Sequence, residues 1–285
     1  MDTTTNELQA LRKELDALRN ENIALYNELT KQNKTLCEHV ISLHEQNIAL
    51  NNEFTRQHAI LNHMIHFFGG ALSYDNVDKY LTRLAGMQTA EFIVEHMNKL
   101  KAYDTREAHL KYALSQAGND ALGGGLYLEF GVFEGNSINL ISSTFPDKII
   151  YGFDSFEGLP EVWWQEDKYP KGKFSLKGNL PAVNANVRLV KGWFNETLPE
   201  FVKAHPEQCA FIHIDCDLYS STKIVLDTLK NQIGAGTVIA FDEYFNYPGW
   251  KDGEYKAFME FIAWSGLEFE YIARTNSAQV SVKIK

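Results

Sequence analysis

Glycine and proline are both missing from the first 68 residues of this 285-residue chain, so nothing in that stretch breaks a helix. Cysteine is scarce. Cys37, Cys209 and Cys216 form no CxxC pair, and an odd, scattered set excludes a disulfide framework and suits a reducing compartment. Positive charge is in deficit, with 27 Lys and Arg against 37 Asp and Glu for a net charge of −10. No basic stripe offsets that deficit, which counts against nucleic acid or an anionic membrane as a partner. No apolar run approaches the roughly 18 residues of a membrane span. The opening MDTTTNELQALRKELDAL lacks the charged stub and apolar core of a signal peptide. These absences together predict a cytoplasmic protein.

What is present is a chain that is 45% hydrophobic, with 18 Phe, 13 Tyr and 5 Trp, enough for a packed core. Its length allows one large domain with an appendage, or two small ones. In the N-terminal stretch Leu8, Leu11, Leu15, Leu18, Asn22, Leu25, Leu29, Gln32 and Leu36 alternate as a and d positions of a heptad. Residues 22–33, NIALYNELTKQN, return as NIALNNEFTRQH at 47–58, an offset of 25 residues. That offset is three heptads plus four, so a stutter at 36–40 restores the register. The seam then continues through Val40, Leu43, Asn47, Leu50, Phe54, Gln57, Leu61 and Met64. Asn at a favours two strands. Residues 1–68 are therefore predicted to be a coiled-coil oligomerisation helix, a rod of roughly 85 Å at about 1.5 Å per residue. A single amphipathic helix folded back on the rest of the chain is the alternative.

Residues 71–120 read as a helical lid or connector that ends at the Gly-rich GNDALGGG. From 121 to 285 the texture alternates. LYLEFGV, IIYGFDSF, VRLVKGW, FIHIDCD and TVIAFDEYF are short, apolar and β-branched or aromatic, and segments of helical spacing separate them. The pattern predicts an α/β domain, a doubly wound, Rossmann-like, mostly parallel sheet that binds its ligand beyond the carboxyl ends of the strands.

Those ends carry acids. Glu129 is followed by Gly131, Val132, Gly135 and Ser137 in a turn that spaces its glycines as GxxxG, not as the dinucleotide GxGxxG. Asp154, followed by Ser155, lies 19 residues beyond Gly135, where an acid suits ribose hydroxyls. Glu129 would meet an ammonium group, which S-adenosylmethionine has and a nicotinamide dinucleotide lacks. Asp154 could instead cap the turn after it. Asp215 and Asp217 end the fourth run, and Asp242 and Glu243 end the fifth. So many converging carboxylates repel one another, and a hard divalent cation such as Mg²⁺ relieves that conflict. Helix capping is the other use for such acids. His213, two residues before Asp215, is a structural histidine or a base.

EFGVFEGNS, GFDSFEGLPE, GWFNETLP, HIDCDLYSST and FDEYF, in that order, resemble the macrocin O-methyltransferase family. Its members are class I, S-adenosylmethionine- and Mg²⁺-dependent enzymes that methylate sugar hydroxyls, and the resemblance spans roughly residues 85–285. It implies that Glu129, Gly131, Gly135 and Ser137 form the methionine-end loop and that Asp154 holds the ribose. By the same resemblance Gly192 and Trp193 line the cofactor wall, Asp215, Asp242 and Glu243 ligate the metal, and Asp217 is the base. Characterised members often carry a second Asp where this chain has Glu243. Two other functions stay open on the residues alone: an assembly protein with a degenerate cofactor-binding domain, and a hydroxylase or oxidoreductase on the same sheet.

Overall fold

The computed structural model describes residues 3–69, 77–117, 124–165 and 167–285. Side chains within the first of these spans are described for 6–58. The seam positions Leu61 and Met64, and residues 71–76 and 118–120 of the expected connector, lie outside those limits. Two compact units divide the chain, Met1–Asp75 and Asn76–Lys285.

The described residues of the first unit form α1 (Thr3–Gly69). Leu8, Leu18, Leu29, Leu43 and Leu50 on its seam are 54–71% exposed within the single chain. Local periodicity makes the helix, and the described residues of its stripe are exposed.

The second unit holds α2 (Val77–His96), β1 (Ala102–Tyr103), α3 (Arg106–Ala117), β2 (Leu126–Phe130), α4 (Asn136–Thr144), β3 (Ile150–Asp154) and β4 (Val187–Lys191). It continues with α5 (Phe194–Ala204), β5 (Cys209–Ile214), α6 (Tyr219–Thr228), β6 (Val238–Phe241), α7 (Glu254–Ser265), β7 (Phe269–Thr275) and β8 (Val280–Ile284). The five expected runs become β2 to β6. The sheet order is β1-β7-β8-β6-β5-β2-β3-β4, and β8 alone runs antiparallel to its neighbours. This is the mostly parallel, doubly wound sheet the alternation predicts.

Every residue of β2 and β5 is buried, as crossover helices on both faces require. Leu126, Leu128 and Phe130 enter one apolar layer while Tyr127 enters another, so consecutive residues of β2 face opposite sides of the sheet. Leu110, Ala113 and Leu114 place α3 in the second layer. The strand order reverses between β2 and β5, which are paired in register from Tyr127↔Phe211 to Phe130↔Ile214. Beyond the carboxyl ends of that pair lies the crevice where such sheets hold ligands.

Candidate functional site

A cavity of about 630 Å³ occupies that crevice. Gly131, Asp154, Ser155, Gly192 and Trp193 line one part of it. Asp215, Asp217, Asp242 and Glu243 line another, so nine of the residues singled out in the sequence share one cavity. Glu129, Val132, Gly135, Ser137 and His213 are not among its lining residues.

The turn after β2 is a backbone device. Gly131 has φ 92°, and a Cβ there would stand 1.8 Å from the carbonyl oxygen of Asp215, so no other residue lets this turn approach the end of β5. Asp154, at the end of β3, ties the same turn down. Its Oδ2 accepts the Val132 and Phe133 N–H groups, each at 2.9 Å, and its Oδ1 accepts Phe156 N–H at 2.7 Å. The turn-capping alternative is thus realised, and the carboxylate still faces the cavity.

Glu129 and His213 are register partners on β2 and β5. His213 Nδ1 lies 2.9 Å from Glu129 Oε1, and both side chains are buried. Burial raises Glu129 to about 8, while Ser137 and Arg106 pull it back. Burial lowers His213 to about 4. The pair joins the two central strands, and neither side chain is among the residues that line the cavity.

The carboxylate floor is reached differently from what strand alternation suggests. β5 ends at Ile214, so Asp215 and Asp217 stand on the loop before α6, and alternation does not relate them to His213. Asp217 enters the floor through a left-handed backbone, φ 65°. Its pKa is raised well above the ordinary carboxylate range, first by burial and then by Asp215 and Glu243. Asp242 is raised likewise by burial and Asp215, and Glu243 reaches about 7 for the same two reasons.

Three features of the site had escaped the sequence. Arg106, the first residue of α3, ion-pairs with Asp215, and its Nε stands 2.5 Å from Asp242 Oδ1. Burial works against this guanidinium, yet Asp215 and Asp242 outweigh it and raise its pKa. Glu254, fully buried at the start of α7, accepts the Glu243 N–H at 3.1 Å, and its other oxygen has no partner among the described residues. An acid in a first helical turn reads as ordinary, which hid it. Trp163, Trp164, Tyr169 and Phe174 form an aromatic wall from the β3–β4 connection, 155–186. The length of that connection was the available signal, since long structureless loops are commonly functional.

Asp215, Asp242 and Glu243 offer the hard, anionic oxygens that a divalent ion of Mg²⁺ type takes, and the donor set fits such an ion. Among the described residues, the one His and carboxylate group whose ligand atoms close to within 4.8 Å is Glu129, His213 and Asp215. The expected trio does not close that far, and Arg106 bridges two of its members.

A model of the macrocin O-methyltransferase (TylF) family matches residues 102–261. Demethyldecarbamoylnovobiocin O-methyltransferase of Streptomyces niveus is 29% identical over 155 residues, covering 46% of this chain and 57% of that protein. The 8-demethyl-8-(2,3-dimethoxy-alpha-L-rhamnosyl)-tetracenomycin-C 4'-O-methyltransferase of Streptomyces olivaceus is 29% identical over 157 residues, 48% of this chain and 59% of that protein. The chain thus spans less than two thirds of the length of either relative. The crystal structure of the calicheamicin methyltransferase CalS11 shares the fold at a TM-score of 0.52 and 22% identity, over 75% of this chain and 95% of that one.

Proposed function

Because the chain belongs to the macrocin O-methyltransferase family, we propose that it moves a methyl group from S-adenosylmethionine to a hydroxyl of a sugar, with Mg²⁺ as cofactor. The observation that carries this reading is the convergence of Asp215, Asp217, Asp242 and Glu243 on one cavity beside Asp154 and Gly131.

S-adenosylmethionine supplies a methyl group on a sulfonium, an electrophile that leaves a neutral thioether behind. Asp154 is the acceptor for the ribose hydroxyls, because its carboxylate faces the cavity while three backbone N–H groups hold it still. The Gly131 turn lets the methionine end approach the sheet, with Glu129 and Ser137 behind it. Gly192 and Trp193 close that side. Mg²⁺, held by Asp215, Asp242 and Glu243, would orient the acceptor oxygens and lower the hydroxyl pKa. Asp217 takes the hydroxyl proton as the oxygen attacks the methyl carbon, and its raised pKa suits that task near neutral pH. The aromatic wall keeps water from the reacting atoms and offers flat apolar faces to a sugar ring.

The open stripe of α1 supports self-association through a parallel coiled coil. Assembly then rests on the first unit and chemistry on the second.

The test is methyl transfer to nucleotide sugars and glycans after exhaustive EDTA treatment, with and without Mg²⁺ added back. Loss on chelation and recovery with Mg²⁺ are expected. A chelated protein that keeps its full rate rules out the metal, and a protein that binds no S-adenosylmethionine rules out the reading as a whole.

A further inference from the structure

The acids of the cavity floor already have one positive partner. Arg106 hydrogen-bonds Asp215 Oδ2 through one terminal nitrogen and ion-pairs with Asp242 Oδ1, its Nε at 2.5 Å, although that oxygen has no hydrogen-bond partner among the described residues. These are two of the three carboxylates assigned above to the divalent ion. We infer that Arg106 is an internal counter-cation that occupies the seat of that ion, so that guanidinium and divalent ion are alternative occupants of the floor; the inference rests on the metal-assisted reading.

The physical case is one of shared lone pairs and like charge. An ion of Mg²⁺ type needs its oxygens at about 2.0–2.1 Å in near-ideal octahedral geometry. Both carboxylates now pair with the guanidinium, and the trio they belong to does not close to within 4.8 Å. A divalent ion placed between the same oxygens would face the guanidinium across a single carboxylate, where the like charges repel. Asp217 and Glu243 have no ion pair among the described residues, so the bridge by Arg106 is the main local relief of the negative charge on the floor.

Arg106 is also built to withdraw. Its side chain is 44% exposed, against 8% for Asp242. The helix start does not depend on it, because Thr105 Oγ1 accepts the Ala108 N–H at 3.1 Å. The guanidinium thus holds the acids together and yields when an ion arrives.

Mn²⁺ binding to the full chain, measured by calorimetry at pH 8 without acceptor, reads this directly. Arg106→Met should bind Mn²⁺ at least tenfold more tightly than the unsubstituted chain, about 1.4 kcal/mol of competition removed. Without metal the same variant should melt lower, and saturating Mn²⁺ should raise its melting temperature further than that of the parent. Arg106→Lys keeps the charge without the guanidinium's planar fork, so it should gain affinity by a smaller factor, roughly threefold, and it covers the case in which the Met variant does not fold. Equal or weaker Mn²⁺ affinity in a folded variant overturns the exclusion and leaves the metal reading standing. Absence of Mn²⁺ binding in every form overturns both.

Discussion

Asp217 holds a left-handed backbone that costs a non-glycine residue on the order of 1–3 kcal/mol, and such strain persists where surrounding structure imposes it. Here the strain turns a carboxylate out of the β5–α6 loop and onto the cavity floor. Asp217→Asn keeps the shape and removes the base. General-base help is worth about 10²–10⁴ in rate, so kcat should fall by that order while affinity for S-adenosylmethionine stays within about twofold. Turnover and calorimetry on the folded variant decide it, and a rate within about threefold of the parent would move the base elsewhere. The acids were legible one by one, because an acid that closes an apolar run is a local pattern. The strain at Asp217 was not, because its backbone angle depends on what the loop must clear.

Among the elements, α1 and the β3–β4 connection mark the two extremes of legibility. The heptads of α1 repeat within a few residues, so the helix and its apolar stripe follow from order alone, and the described residues of that stripe are exposed. A chain beginning at Asn76 should weigh as fewer copies by light scattering than the full chain, which should contain at least two, and it should still bind S-adenosylmethionine. An unchanged number of copies would transfer assembly to the second unit. The connection 155–186 has no period to read. It folds on itself through bonds such as Leu159 N–H to Lys173 O and Gly172 N–H to Leu159 O, and Trp163 and Phe174 then line the same cavity.

Across the whole molecule the buried acids govern the response to pH. Burial, then Asp215, raises Glu243 to about 7, and burial raises Glu129 to about 8, against roughly 4.3 for an unfolded Glu. Above that value the folded chain keeps protons that the unfolded chain releases, so their contribution is complete below about 4.3 and is lost as pH rises through 7 and 8. His109 and His213, lowered to about 4 by burial, act oppositely, but only below about 6.5. Between pH 6.5 and 8.5 the acids act alone, and the melting temperature without divalent ions should drop by about 4 °C or more. A flat or rising curve over that window would show that a cation pairs these acids throughout. The order of residues by itself determined the long helix, five of the strands and the acids at their ends, because each rests on contacts a few positions apart. Only the tertiary structure decided the partners of those acids. Arg106 meets Asp215 across 109 positions, and Glu254 lies beneath Glu243 because α7 packs there. No local pattern encodes such meetings, since the sheet must close before buried charges find the counter-charges that make their burial bearable.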